Sequence, residues 1–419
     1  MAVKTFKLYT LFIILLIFSL LIQVPNCDNN TLKICSEEPI LSNNVVNLVN
    51  DNTYAVNSQS SLSMSSPDDV YFTLDYQWAL DKISIRDAWN LEKGSDSVKV
   101  GVIDTGIDFY HPDLRNNMDE DLLMDFSGSN MPYIGHSGHA SMVAGIIGAE
   151  TNNGIGIAGV CWNVKMVSLK IQDSTEATEA INYAEKNKIP IINISWQFAA
   201  DDNLKKAIDN YSGLIVIAAG NDNANLDLDT ESWYQYDNDN IILVGSTNCD
   251  DEKSTFSNYS KTIVDIFAPG GEKNATDKKK GIFTTTDHYG YTVVNGTSLS
   301  APFVAGVAAL LLSKYPTMSA LKLKSAIMHN VDRIDGLRDL CVSGGRLNAY
   351  STLLNPYKEH SFTVMKGNFR KHKCQCKYCD YYYSEEHEWV TSIDFRVCLK
   401  CGTRLSLGGI IIENAGIII

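Results

Sequence analysis

The stretch Val98-Lys-Val-Gly-Val-Ile-Asp-Thr-Gly-Ile-Asp108 decides how the chain folds. It is rich in β-branched residues, nearly continuous in apolar character up to Ile103, and stops on a carboxylate beside a glycine. A short run of this kind reads as a strand covered on both faces. Similar runs recur at Val164–Ile171, Ile189–Trp196, Gly213–Gly220, Ile241–Thr247 and Ile263–Ala268. Between them, Thr175–Lys188 and Asp201–Tyr211 have the spacing of amphipathic helices. Strand–helix alternation implies an α/β fold, a doubly wound, mostly parallel sheet with right-handed crossovers and helices on both faces. In such sheets ligands gather at the carboxyl ends of strands. Asp104, Ser195 and Asn221 stand at three such ends, each beside glycine or another small residue. One of them alone would be a turn former. Three on one edge are expected to line a cleft.

The 419 residues carry 35 Lys+Arg against 49 Asp+Glu, a formal net charge of −14. With 45% apolar and 20% charged residues the chain can bury a core. The acidic balance argues against a nucleic-acid partner, which requires a basic footprint. Lys4 and Lys7 precede an apolar run from Leu8 to Val24, so residues 1–27 read as a secretory signal, with a retained membrane anchor as the alternative. The expected location is secreted or cell-surface, with membrane contact only through that segment if it stays uncleaved. Residues 28–66, rich in Asn, Ser and Asp, read as a linker or short pro-segment. The main domain is expected over 67–356 and a Cys-rich tail over 357–419.

Two further segments bear on chemistry. Gly138-His-Ala-Ser-Met-Val-Ala-Gly145 is small-residue-rich and opens with a histidine, and Asn295-Gly-Thr-Ser-Leu-Ser-Ala-Pro302 leads into the apolar stretch Phe303–Tyr315. Ser298 is expected just before that helix, with Pro302 in its first turn. As structure alone Ser298 is an N-cap. The sharper alternative is a nucleophile at a helix terminus, whose free N–H groups hold a developing oxyanion.

Together these segments resemble the subtilisin-like serine proteases, the subtilases, in which the catalytic residues occur in the chain order Asp, His, Ser. The resemblance runs from about Asp69 to Leu353 and includes Ile266-Phe-Ala-Pro-Gly270 and Gly345-Arg-Leu-Asn-Ala-Tyr350. It implies a serine endopeptidase acting on peptide or protein substrates, with Asp104, His139 and Ser298 as the triad. A serine hydroxyl needs a base to take its proton during attack, which His139 would do, while Asp104 fixes the imidazole tautomer. Asn221 and the Ser298 backbone N–H would hold the oxyanion. Aligning Val143-Ala-Gly145 with the family pattern selects His139 over His136 and leaves Met142 in place of a second histidine. Ala140 and Ser141 replace the family's glycine and threonine.

Ser195, Trp196, Gln197 and Gly220 fall at substrate-binding positions. After Asn193-Ile-Ser195 the family usually carries Leu-Gly-Gly, whereas this chain has Trp196-Gln-Phe198. Larger side chains there are expected to narrow the pocket for the residue before the scissile bond. A catalytically weak peptide-binding or attachment protein on the same scaffold is the alternative function.

Thr151-Asn-Asn-Gly-Ile-Gly-Ile157 resembles the family's calcium loop. By that match Asn153 supplies its side chain, Thr151, Ile155 and Ile157 their carbonyls, and Asp113 a carboxylate, with Asp69 as a further candidate. Such hard oxygen donors suit calcium, here a structural ion. In the tail, Cys376 with Cys379 and Cys398 with Cys401 form two Cys-x-x-Cys arms, the pattern of a zinc ribbon. His372, Cys374 and His387 are spare candidates, and disulfides are the alternative in an oxidising compartment.

Overall fold

The structure, a computed structural model, describes residues 66–129, 138–197, 201–228 and 238–356, together with isolated strands of the tail. After short helical turns at Val70–Thr73, Trp78–Lys82 and Ile85–Ala88, β1 runs over Gly94–Asp104. The order continues β2 (Met124–Asp125), α1 (His139–Gly148), β3 (Asn163–Lys170), α2 (Ser174–Lys186), β4 (Ile191–Ile194), α3 (Asp202–Asn210), β5 (Leu214–Ala218), β6 (Ile241–Thr247) and β7 (Ile266–Pro269). Then come β8 (Ile282–Thr286), β9 (Gly290–Val294), α4 (Thr297–Lys314), α5 (Ala320–His329), β10 (Asp332–Arg333), β11 (Gly345–Arg346) and α6 (Ala349–Leu354).

One nine-stranded sheet orders these as β10-β11-β7-β6-β5-β4-β1-β3-β2. Every neighbouring pair is parallel except β10 with β11. The six apolar runs are all strands of this sheet. They alternate with period two between two cores: Val100, Val102, Val216 and Val244 face one, while Ile103, Ile192, Ile215 and Ile217 face the other. The first core holds α1 and α4, the second α2 and α3. Each fully buried aliphatic side chain contributes about 1.5–3 kcal/mol of transfer free energy, so register is strongly specified.

The two outer helices start where the sequence supplies caps. Asp173 accepts from the N–H groups of Thr175 and Glu176, and Asp201 from those of Asn203 and Leu204. Helix α4 is apolar on all sides and 83% of it is buried, the mark of a core helix and not of a membrane span. It differs from the sequence expectation at its start: Thr297 and Ser298 are already helical, and Pro302 lies inside. The β8–β9 hairpin packs on α1 and had no counterpart among the expected strands.

The tail strands pair antiparallel, Phe362–Met365, Lys371–Cys376 and Tyr382–Glu386 in one sheet and Trp389–Thr391, Phe395–Cys398, Thr403–Ser406 and Ile411–Asn414 in another. Cys379, Cys401 and the side chains of Cys376 and Cys398 lie outside the described residues, so the zinc ligand set does too. The same holds for residues 1–65, with the signal and pro-segment, and for His136.

Candidate active site

Strands β1, β4 and β5 are neighbours, so their carboxyl ends, with Asp104, Ser195 and Asn221, fall on one edge. Asp104 is fully buried, and both its oxygens lie 2.9 Å from Nδ1 of His139. One of them also accepts the Thr105 N–H at 2.7 Å. A carboxylate only accepts, so Nδ1 carries the proton and Nε2 is left with its lone pair. His139 is held above the ordinary imidazole value: burial, the largest influence, pulls it down, but the charge and hydrogen bonds of Asp104 outweigh it.

His139 is the first residue of α1, and Gly138 precedes it with a left-handed φ of 67°. A methyl at Gly138 would sit 2.5 Å from the Thr286 hydroxyl of β8, so both conformation and space select glycine. The hydroxyl of Thr105 accepts from the Ala140 N–H at 3.3 Å, tying the start of α1 to the end of β1. Ala140 itself is fully buried.

Ser298 is half-buried near the start of α4, which packs against α1. Asn221, exposed beyond β5, turns its side-chain oxygen onto the Thr297 N–H at 2.9 Å and hydroxyl at 3.0 Å. Two donors fix that oxygen, so the amide nitrogen faces the other way. Gly296, at φ 152°, marks where it faces: a methyl there would lie 3.1 Å from the Ser298 hydroxyl oxygen and 3.7 Å from the Asn221 amide nitrogen. An N–H donor and a hydroxyl thus flank one point in front of a helix N-terminus.

At the positions expected to bind substrate, Gly220 is buried and its N–H donates to the Thr297 hydroxyl at 3.1 Å. Trp196 is half-buried against the second core, and Gln197 is exposed. Ser195 is 6% exposed, and its hydroxyl donates to the Ser298 carbonyl at 2.7 Å while Asn193 donates to it at 2.9 Å. The contacts of Thr105, Asn193 and Thr297 escape sequence reasoning, although all three sit inside the quoted motifs.

The expected calcium residues also meet. Asp69 and Asp113 are fully buried, and among the described residues neither pairs with a lysine or arginine. Asp69 accepts the Asn152 N–H at 2.8 Å, and its other oxygen is buried without a hydrogen-bond partner among the described residues. Asp113 accepts from Ile157 N–H, the Asn153 side-chain amide and the Tyr291 hydroxyl at 2.9, 3.0 and 3.3 Å. Burial pushes Asp69 up to about 6 and Asp113 up to about 7. The carbonyls of Thr151, Ile155 and Ile157 accept no hydrogen bond among the described residues. Buried carboxylates and carbonyls without hydrogen-bond donors are the kinds of oxygen that a hard cation takes. Asn153 differs in detail from the expectation, since it presents its amide nitrogen to Asp113 and its oxygen to the Ile155 N–H.

The subtilase family profile matches residues 95–354. Thermitase of Thermoactinomyces vulgaris is 32% identical over 69% of this chain and 99% of its own. A thermophilic serine proteinase of a Bacillus strain is 31% identical over 69% of each chain. Among solved structures, a protease of Pseudoalteromonas arctica matches with TM-score 0.60 and 26% identity, over 70% of this chain and 100% of that one. The nisin leader peptidase of Lactococcus lactis matches with TM-score 0.57 and 25% identity, over 68% of this chain and 95% of that one. A sheet edge with a carboxylate–imidazole pair, a helix-borne serine and an oriented amide, inside a region matched throughout by one family, leads to one assignment: the chain belongs to the subtilases and is a subtilisin-like serine protease.

Proposed function

We propose that the chain is an endopeptidase whose acyl-enzyme forms on Ser298. His139 Nε2 takes the hydroxyl proton as oxygen attacks the peptide carbonyl, and later gives it to the leaving amine. Asp104 holds the imidazole and stabilises the imidazolium without accepting its proton. The Asn221 amide and the Ser298 N–H take the oxyanion, and water then repeats the sequence to release the acid product. The observation that carries this reading is the buried Asp104 carboxylate locked to Nδ1 of His139.

Trp196 and Gln197, in place of the family's usual residues, support a restricted cleavage preference. That suits processing of one kind of peptide, the sort of task for which the leader peptidase is named. Calcium at Asp69, Asp113 and the 151–157 loop would supply countercharge to two buried carboxylates and has no part in the chemistry. The N-terminal apolar run supports export.

A fluorophosphonate label tests the nucleophile. Wild type is expected to label with one equivalent and Ser298→Ala not at all; equal labelling of both would move the nucleophile elsewhere. A peptide library tests preference, and a broad taste for large apolar residues before the scissile bond would remove the role given to Trp196 and Gln197.

A further inference from the structure

Pro302 lies inside α4, four residues after Ser298. Its ring nitrogen has no hydrogen, so the Ser298 carbonyl loses the donor that a helix interior normally supplies. That carbonyl belongs to the residue read as the nucleophile. The Ser195 hydroxyl fills the gap from outside the helix, donating to it at 2.7 Å. A carbonyl only accepts, so the one hydroxyl proton is committed there, and the Asn193 side-chain amide must donate to Ser195 at 2.9 Å. Both residues are deeply buried, at 0% and 6% exposure, at the end of β4. This makes a rigid link from a central strand to the peptide that carries the reacting oxygen.

We propose that Ser195, oriented by Asn193, is a positioning residue that holds the first turn of α4 where Pro302 has removed its helical hydrogen bond, and so keeps the Ser298 hydroxyl aimed. The inference rests on Ser298 being the nucleophile. It replaces a substrate-contact role for the Ser195 side chain, whose proton is already used; a substrate contact there falls to its backbone. A displacement of about 1 Å at a reacting centre costs up to roughly a hundredfold in rate, which sets the size of the effect.

The test is a cycle read by steady-state kinetics on one peptide substrate. Ser195→Ala is expected to lower kcat by about 10- to 100-fold with KM within about twofold. In a Pro302→Ala background the new N–H can donate to the Ser298 carbonyl, so the same Ser195→Ala change is expected to cost less than about threefold. Ser195→Thr keeps the hydroxyl and is expected to retain most of kcat. Equal losses in both backgrounds, no loss in either, or a raised KM with unchanged kcat would overturn the proposal. Should Pro302→Ala not fold, Ser195→Thr decides alone: wild-type-like kcat supports the link and an alanine-like loss rejects it. Turnover surviving in Ser298→Ala would instead remove the nucleophile assignment beneath it.

Discussion

Asp104 at the end of β1 and Asp69 with Asp113 near the 151–157 loop are carboxylates withdrawn from water to the same extent, each fully buried. Their surroundings treat the charge differently. Asp104 faces an imidazole that can become a cation, and the pair lifts the base above its ordinary value. Asp69 and Asp113 face amides, backbone N–H groups and one phenol, and burial lifts their own values to about 6 and about 7. A buried charge without a partner is expensive, and a bound cation would remove that cost. The first site therefore carries its countercharge in the chain, where the proposed mechanism uses it. The second, on the calcium proposal, would take it from an ion.

The same substitution made at each site breaks this comparison most sharply. Asp104→Asn is expected to cost about 10⁴ in kcat, because the amide favours the wrong imidazole tautomer and leaves the imidazolium unsupported. A loss below about tenfold in a protein that still folds would mean that His139 does not work through Asp104. Asp113→Asn, by contrast, is expected to act on stability, with a sign that depends on calcium. In chelator near pH 8 it removes an uncompensated charge and raises Tm. In calcium it removes a ligand and lowers Tm.

Calcium removal from an inactive Ser298→Ala background, which avoids self-digestion, comes next in size. Saturation at about a hundred times Kd stabilises by about 2.7 kcal/mol, a shift of roughly 5–10 °C for a domain of this length. Because the folded values of Asp69 and Asp113 lie above that of an unfolded aspartate, folding without the ion takes up protons. Stability in chelator is then greatest below about pH 4 on this account and falls as pH rises through about 6 and about 7. The chelator's effect should thus be larger at pH 8 than at pH 5. Equal effects at both would detach these carboxylates from the ion.

Much of this was legible in the chain. The apolar runs located the strands because both faces of the sheet are covered, and a buried strand advertises itself by composition alone. The placement of Asp104, His139 and Asn221 at strand and helix ends was legible because polar residues beside small ones mark where buried elements stop. The start of α4 was not. Pro302 reads as a first-turn residue, and the Ser298 carbonyl it leaves without a helical donor is met by the Ser195 hydroxyl just after β4, more than a hundred positions earlier. The β8–β9 hairpin escaped for a related reason: its threonines are polar in sequence, yet Thr284 and Thr285 are fully buried because they donate to the Met142 and Ser141 carbonyls of α1. Long-range polar pairing leaves no periodicity to read.

The pH dependence of activity sharpens the catalytic half. His139 must be neutral to act as a base, and its raised value places the acid limb of kcat/KM above that of an ordinary imidazole. Asp104→Asn removes the charge but leaves burial, so the His139 ring titration followed by NMR is expected to fall below that value. A titration unmoved by the substitution would mean that Asp104 does not set the His139 value and would break the coupling inferred from the 2.9 Å contacts.

Tyr291→Phe is the smallest and most selective probe of the other half. The hydroxyl lies 3.3 Å from Asp113, a long hydrogen bond, while the ring stacks on Phe283 and meets His111 edge-on. Phenylalanine keeps the ring contacts and deletes one donor facing the buried charge. The loss is expected at about 1 kcal/mol, or roughly 2–4 °C, in chelator at pH 8. Below about pH 6 Asp113 is protonated and can itself donate, so the loss should shrink. With calcium it should shrink as well, since the ion then carries most of the compensation. A loss that stayed constant across pH and calcium would belong to ring packing alone, and Tyr291 would have no part in holding the Asp113 charge.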